Sequence, residues 1–318
     1  ETDRTGYTNT RGIPELRDAI HARLIEELNW DVPCFVTSGV SGGLMLACLA
    51  CLNPGDEVLL ADPYFVSYPH LVRLAGAVPI MVSTYDDFQL HPERFAAAIT
   101  PKTKMILVAS PGNPTGVVYR REDVEALAGL ARKHDLLIVS DEIYDSLTYD
   151  GPSPTPVRFA PERTLLLRGF GKSHALTGLR IAYAAGPEPI INEMSKLQQY
   201  TFVCAPHPAQ HGALAALDTD MSRQVADYRG KRDFVCSQLE GVLDFVRPSG
   251  GFYVFPRVPK QYGSATEFVA AAIKKNLLII PGEVFSAADT HVRISYAAPD
   301  EKLRRGCAIL REMADSRP

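Results

Sequence analysis

Short, nearly continuous apolar runs recur along the first half of the chain, at Glu57–Ala61, Val78–Val82, Met105–Ala109, Leu136–Val139 and Thr164–Leu167. Such runs predict strands buried on both faces of a parallel sheet. Amphipathic stretches separate them, at Leu44–Leu52, Tyr68–Ala75, Pro92–Ile99 and Arg121–His134. A further helix is expected over Leu16–Leu28, led in by Pro14. Strand–helix alternation of this kind predicts an α/β architecture with crossover connections.

Past residue 187 the alternation stops. Ile190–Gln199 and Ala209–Leu239 read as continuous helices. Strands are expected at Phe245–Arg247, Phe252–Phe255, Leu277–Ile280 and Val292–Tyr296, with helices over Ala265–Lys275 and from Glu301 onward. The fold expected is a mostly parallel sheet flanked by helices over residues 1–225, a large α/β domain, followed by a smaller α+β domain over residues 226–318.

Composition narrows the function. With 46% hydrophobic and 22% charged residues the chain is an ordinary globular one rather than a disordered one. Its 33 basic and 37 acidic residues leave a net charge of −4, which speaks against nucleic acid or an anionic membrane as an obligatory partner. The longest apolar run, Gly42–Leu52, is far short of the ~20 residues that span a bilayer. No charged-then-apolar leader is read at the start, and six cysteines over 318 residues make no disulfide scaffold. A cytoplasmic setting is expected. Cys48 and Cys51 share a helix without a second pair, and the histidines show no ligand spacing, so no metal site is expected.

Polar residues gather where α/β sheets place their sites, beyond the carboxyl ends of strands. Met105–Ala109 runs into Ser110-Pro-Gly-Asn-Pro-Thr-Gly116, Leu136–Val139 into Ser140-Asp-Glu-Ile-Tyr144, and Thr164–Leu167 into Arg168-Gly-Phe-Gly-Lys172. Each alone is ordinary loop chemistry, since Asn-Pro and Pro-Gly form turns and Asp caps helices. Facing one crevice, they bring together an amide, a carboxylate, a phenol and an amine. An amine can join an aldehyde cofactor, and the pyridine of pyridoxal phosphate is an electron sink that needs a carboxylate at its ring nitrogen. Arg180, eight residues after Lys172, suits the phosphate.

These segments resemble the pyridoxal-phosphate-dependent aminotransferases of class I/II, the aspartate aminotransferase type of fold (fold type I). The resemblance runs from Gly6 to Arg305. Beyond the three segments above, it rests on Gly178-Leu-Arg180, Val292-Arg-Ile-Ser295, Gly6-Tyr7 before Arg11-Gly12, Asn53-Pro-Gly-Asp-Glu57, Asp62-Pro-Tyr-Phe65 and Ser249-Gly-Gly-Phe-Tyr253, in the family's order.

The resemblance implies pyridoxal 5'-phosphate as cofactor and a set of roles. Lys172 would attach the cofactor and move the proton at the substrate α-carbon. Asp141 would pair with the ring nitrogen, while Tyr144 and Asn113 would bond the ring oxygen. Phe65 would stack on the ring. Arg180, Ser41 and the Val40 N–H would hold the phosphate at a helix start, and Tyr7 would reach the phosphate of a neighbouring subunit in a homodimer. Arg293 would bind the substrate α-carboxylate, with Asn113 beside it. The family also carries an upstream segment that closes over the substrate, which these residues do not include. Gly171 and Gly169 stand where many members have hydroxyl residues, and Arg168 and His174 match no assigned role.

The implied activity is ping-pong transfer of an amino group between an amino acid and a 2-oxo acid. The alternative is a C–S β-lyase or a related eliminating enzyme, since one fold and one lysine can serve both. A regulator carrying this fold would need a basic DNA-binding segment, and none is read here.

Overall fold

The computed structural model describes residues 5–315. Of the polar lead Glu1–Thr10, residues 1–4 lie outside the described residues, as do 316–318 at the other end. In chain order the first part contains α1 (Pro14–Leu28), β1 (Cys34–Thr37), α2 (Gly39–Cys51), β2 (Glu57–Asp62), α3 (Ser67–Leu74), β3 (Val78–Ser83), α4 (Pro92–Ala98), β4 (Thr103–Ala109), α5 (Arg121–Lys133), β5 (Leu137–Asp141), β6 (Thr164–Gly169), β7 (Ala182–Ala185) and α6 (Glu188–Thr201). These strands form one sheet in the order β1-β7-β6-β5-β4-β2-β3. Only β7 runs antiparallel to its neighbours.

Alternation along each strand feeds two apolar layers. Val58, Leu60, Met105, Leu107, Leu165 and Leu167 pack against α2, α3 and α6. Leu59, Ala61, Ile106, Val108 and Ile138 face α4 and α5. Leu166, Val36 and Tyr183 meet α1 and α7 (His207–Leu217) on that second side. Burial on both faces is what made the apolar runs of β2, β4, β5 and β6 continuous, whereas β3 at the sheet edge is mostly half-buried. The register aligns Ala109 with Asp141 and Asp141 with Leu167, so the three polar loops leave the sheet side by side.

The remaining elements are α8 (Ser222–Leu239), β8 (Tyr253–Val254), α9 (Ala265–Lys274), β9 (Ile280–Pro281), β10 (Val292–Ser295) and α10 (Asp300–Asp315). The strands form a small antiparallel sheet in the order β8-β10-β9. Val292, Ile294 and Tyr296 enter a core shared with Val235, Leu239, Phe268, Leu303 and Leu310.

Several local expectations change. The four-residue strands β1 and β7 carry too little pattern to stand out, and β7 is Ala-Tyr-Ala-Ala. The helix expected over Ala209–Leu239 breaks between α7 and α8, where the Asp220 carboxylate accepts from the Ser222 N–H and hydroxyl, both at 2.9 Å. Short polar side chains of this kind compete with the helical backbone. Residues 245–247 pair with no strand, and the expected Leu277–Ile280 strand is reduced to β9.

The loop after β4 is bolted to the small sheet. The Gly116 carbonyl accepts from the N–H groups of Ser249 and Gly250, each at 2.9 Å. Gly116 has φ +69, and a Cβ there would sit 2.4 Å from the Tyr253 carbonyl oxygen and 2.6 Å from Pro248 Cβ. Gly116→Ala should therefore lose about 1–3 kcal/mol of stability through backbone strain and clash. Thermal unfolding measures it, and a variant as stable as wild type would show that the contact yields freely.

Candidate functional site

Each polar loop delivers its side chains to one cavity of about 310 Å³. The loop after β4 supplies Asn113. Asp141 is the last residue of β5, and the turn beyond it supplies Tyr144. The excursion between β6 and β7 carries Lys172 and Arg180. The start of α2 gives Gly39, Val40 and Ser41, and the segment before α3 gives Phe65. Arg293 comes from β10. Its neighbours Val292 and Ile294 fill the small core, so the two-residue period of a strand sends Arg293 to the opposite face, into the cavity. Nine of the ten residues expected from sequence thus line one cavity. Tyr7 does not, and the residue is 85% exposed.

The cavity is graded from dry to wet. Asp141, Tyr144 and Asn113 are buried at one end, and Ser41 and Arg180 are exposed at the other. Asp141 accepts from the Tyr68 hydroxyl at 2.8 Å and from the Ile143 N–H at 3.2 Å. Burial pushes its carboxyl up to about 6, against those hydrogen bonds. Among the described residues it forms no ion pair. Burial also lowers Lys172 below the usual amine range, helped by the charges of Arg180 and Arg293. The Lys172 ammonium lies 5.9 Å from the Phe252 ring centroid.

Arg293 lies over the rings of Tyr253 and Phe285, 4.5 and 4.6 Å from their centroids. Its Nη1 donates to Asn113 Oδ1 at 2.9 Å, while its buried Nε has no partner. Among the described residues no acidic side chain pairs with it, so the alternative of a surface ion pair to Asp289 or Asp300 is not what forms. Burial works against its charge. The Tyr144 hydroxyl donates to that of Tyr253 at 3.3 Å, and burial, with Tyr253 next, raises the Tyr144 phenol well above its usual range.

At the open end, Ser38 offers no side-chain cap to α2. The first turn of α2 is thus left without its usual side-chain cap, as in an anion site. Gly39 has φ +71, and a Cβ on it would lie 2.5 Å from Arg180 Nη2, so the guanidinium rests directly on the helix start. Arg180 Nη1 donates to the Thr177 carbonyl at 3.1 Å.

Sequence reasoning missed Tyr68 and Tyr253 as site residues. Tyr68 stands three residues after Phe65, and their rings meet edge-on at 5.6 Å; that spacing at a helix start was a usable signal. Tyr253 sat in a recognised segment, but its place beside Tyr144 depends on the small sheet docking on the large one. Arg168, left without a role, pairs with Glu27, Glu142 and Asp145. His174 accepts from or donates to Ser173 Oγ at 2.8 Å and lies outside this cavity. Burial raises the thiols of Cys48 and Cys51 to about 12 and about 11, and both are free. Among the described residues no group of three or more His, Cys, Asp or Glu could hold a metal ion.

A profile of the family described as "Aminotransferase class I and II" matches residues 1–310. The aspartate/prephenate aminotransferase of Thermus thermophilus is 41% identical over 320 residues, which cover 95% of this chain and 81% of that one. A probable aspartate aminotransferase of Methanocaldococcus jannaschii is 37% identical over 323 residues, covering 98% of this chain and 86% of that one. Among solved structures, an aspartate aminotransferase from Thermotoga maritima matches with a TM-score of 0.95 and 36% identity, over 99% of this chain and 85% of that one. With a family match over almost its whole length and the family's motifs assembled around one cavity, the chain belongs to the class I and II aminotransferases.

Proposed function

We propose that this chain is a pyridoxal-phosphate-dependent aminotransferase that passes an amino group from an amino acid to a 2-oxo acid in two half-reactions. The observation that carries the reading is Asp141, a buried carboxylate without an ion pair, facing the same cavity as the Lys172 amine. Such a charge is costly unless a cation meets it. A protonated pyridine is that cation.

The residues fit the cofactor along its length. The Gly39 cradle, the uncapped start of α2 with Val40 and Ser41, and the Arg180 guanidinium suit a phosphate at the open end. Asp141 holds the proton at the ring nitrogen at the dry end. Asn113 Oδ1 accepts from Arg293, which leaves the Asn113 amide N–H groups to donate to the ring oxygen; the Tyr144 hydroxyl, which points to Tyr253, would turn to join them. Phe65 forms an apolar wall for the ring.

When bound, the cofactor supplies an aldehyde for the amino group and a ring that withdraws electrons from the substrate α-carbon. The chain does the rest. Lys172 holds the cofactor through Nζ and, as a neutral amine, takes and returns the proton at the α-carbon; its lowered proton affinity favours that form. Arg293 offers its unpartnered Nε and its fork to the α-carboxylate. The apolar rings around Arg293 and Tyr144 keep water from the reacting carbon. A second copy of the chain would supply Tyr7, whose exposed ring is free to reach a neighbour's phosphate.

Three outcomes test this. Protein loaded with pyridoxal phosphate should be a dimer by light scattering, and borohydride should fix the cofactor to the peptide carrying Lys172. It should convert amino donors to oxo acids and accumulate the aminated cofactor. A label on another lysine, or ammonia and pyruvate released from cysteine conjugates instead, sinks the assignment.

Asp141→Asn should lower transamination on the order of 10³-fold. Cofactor-free protein adds a second readout. Because Asp141 is raised in the folded state, the unfolded chain releases this proton first as pH rises, so wild type loses stability from about pH 4 to about pH 6. The Asn variant lacks that slope, and the stability difference should shift in its favour by about 3 kcal/mol across the window. Parallel pH–stability curves would mean that Asp141 is not buried in the charged state.

Arg293→Lys should raise KM for amino and oxo acids roughly tenfold or more, because an ammonium cannot fork onto a carboxylate. Cofactor affinity should stay near wild type. Loss of cofactor with unchanged KM would make Arg293 structural.

A further inference from the structure

The turn after β5 has two faces. Asp141 and Tyr144 line the cavity, while Glu142 and Asp145 turn away from it. Both residues of the rear face end on one guanidinium. Arg168 Nε and Nη2 donate to Glu142 Oε2 at 3.1 and 2.9 Å, and Nε also lies 3.1 Å from Asp145 Oδ2. Its third arm, Nη1, reaches Glu27 at the end of α1 at 2.9 Å. The guanidinium is buried, with 11% of the side chain exposed, and the Glu142 side chain is 4% exposed. Ser140 Oγ donates to the other Glu142 oxygen at 2.9 Å, so the carboxylate is fully held.

Arg168 is also rigidly placed. It sits on β6, opposite Tyr183 of β7, one residue beyond Leu167, which pairs with Asp141. Arg168 thus grips positions 142 and 145 of a turn whose positions 141 and 144 face the cavity. The same strand leads, four residues later, to Lys172.

We infer that Arg168 is a positioning residue: by clamping Glu142 and Asp145 from behind, it fixes Asp141 and Tyr144 toward the cofactor ring. The inference rests on the proposed role of Asp141. Without Arg168, Glu142 is a buried carboxylate with no cation, directly beside Asp141, and the turn must rotate or take up a proton to relieve it. Lys cannot reproduce the planar fork, whose three nitrogens span Glu142, Asp145 and Glu27 at once.

The test isolates the ring nitrogen. Affinity is measured by fluorescence for pyridoxal phosphate and for its analogue with C–H in place of the ring nitrogen. Wild type should prefer the natural cofactor, because only it offers Asp141 a proton. Arg168→Gln should cut that preference roughly tenfold, equivalent to one pKa unit at the ring partner, and Arg168→Lys should recover only part of it. A merely structural role would weaken both ligands alike and leave the ratio unchanged, which overturns the inference while leaving the role of Asp141 intact. A wild type that binds both equally overturns the two together. Should Arg168→Gln fail to fold, Asp145→Asn removes one arm of the clamp and should lower the ratio about threefold, the scale of a partly exposed ion pair; an unchanged ratio there also overturns the inference.

Discussion

Asp141 ends the central strand β5 with one oxygen bonded to the Tyr68 hydroxyl, the other to the Ile143 N–H, and only 4% of its surface exposed. Two neutral donors soften the loss of water without cancelling it, and burial still dominates its titration. The neighbouring strands are arranged around this cost. β4 and β6 flank β5 in register, so their loops open beside the carboxylate with an amide on one side and an amine on the other. A folded chain that keeps an unpaired charge in its interior trades stability for readiness to meet a cation.

What the sequence made legible follows from range. The strands β2, β4, β5 and β6 were readable because burial on both faces writes itself into contiguous apolar runs, and the edge strand β3 was readable from its apolar run although only Val82 in it is buried. Asn113, Asp141, Tyr144 and Lys172 were readable because each follows such a run within a few residues. The two strands beside β6 at the sheet's end were not, being four residues long and, in β7, mostly alanine. Arg168 matched no role in the sequence, because its partners Glu142, Asp145 and Glu27 lie far along the chain, beyond any local pattern. The break at Asp220 was written in a polar run and was overridden by helical periodicity on both sides.

Arg293 links the two sheets at the site. It belongs to the small sheet by its ladder and to the large one by its hydrogen bond to Asn113. Under the proposed role of Arg293, a carboxylate that competes for that guanidinium would act on its bond to Asn113 and so on the contact between the two sheets.

The excursion from β6 to β7 leaves and re-enters the sheet through adjacent antiparallel strands, with Gly169 opposite Ala182. Lys172 and Arg180 are therefore carried on a single span whose two feet are fixed to each other. Under the proposed roles one residue holds an aldehyde and the other an anion, and the span works as a gauge of the distance between those groups. Aldehydes lacking a distant anion would be held at one end only, and longer or shorter phosphorylated aldehydes would miss one mark or the other. Discrimination among the many carbonyl compounds a cell contains would then come from measuring molecular length before any chemistry begins.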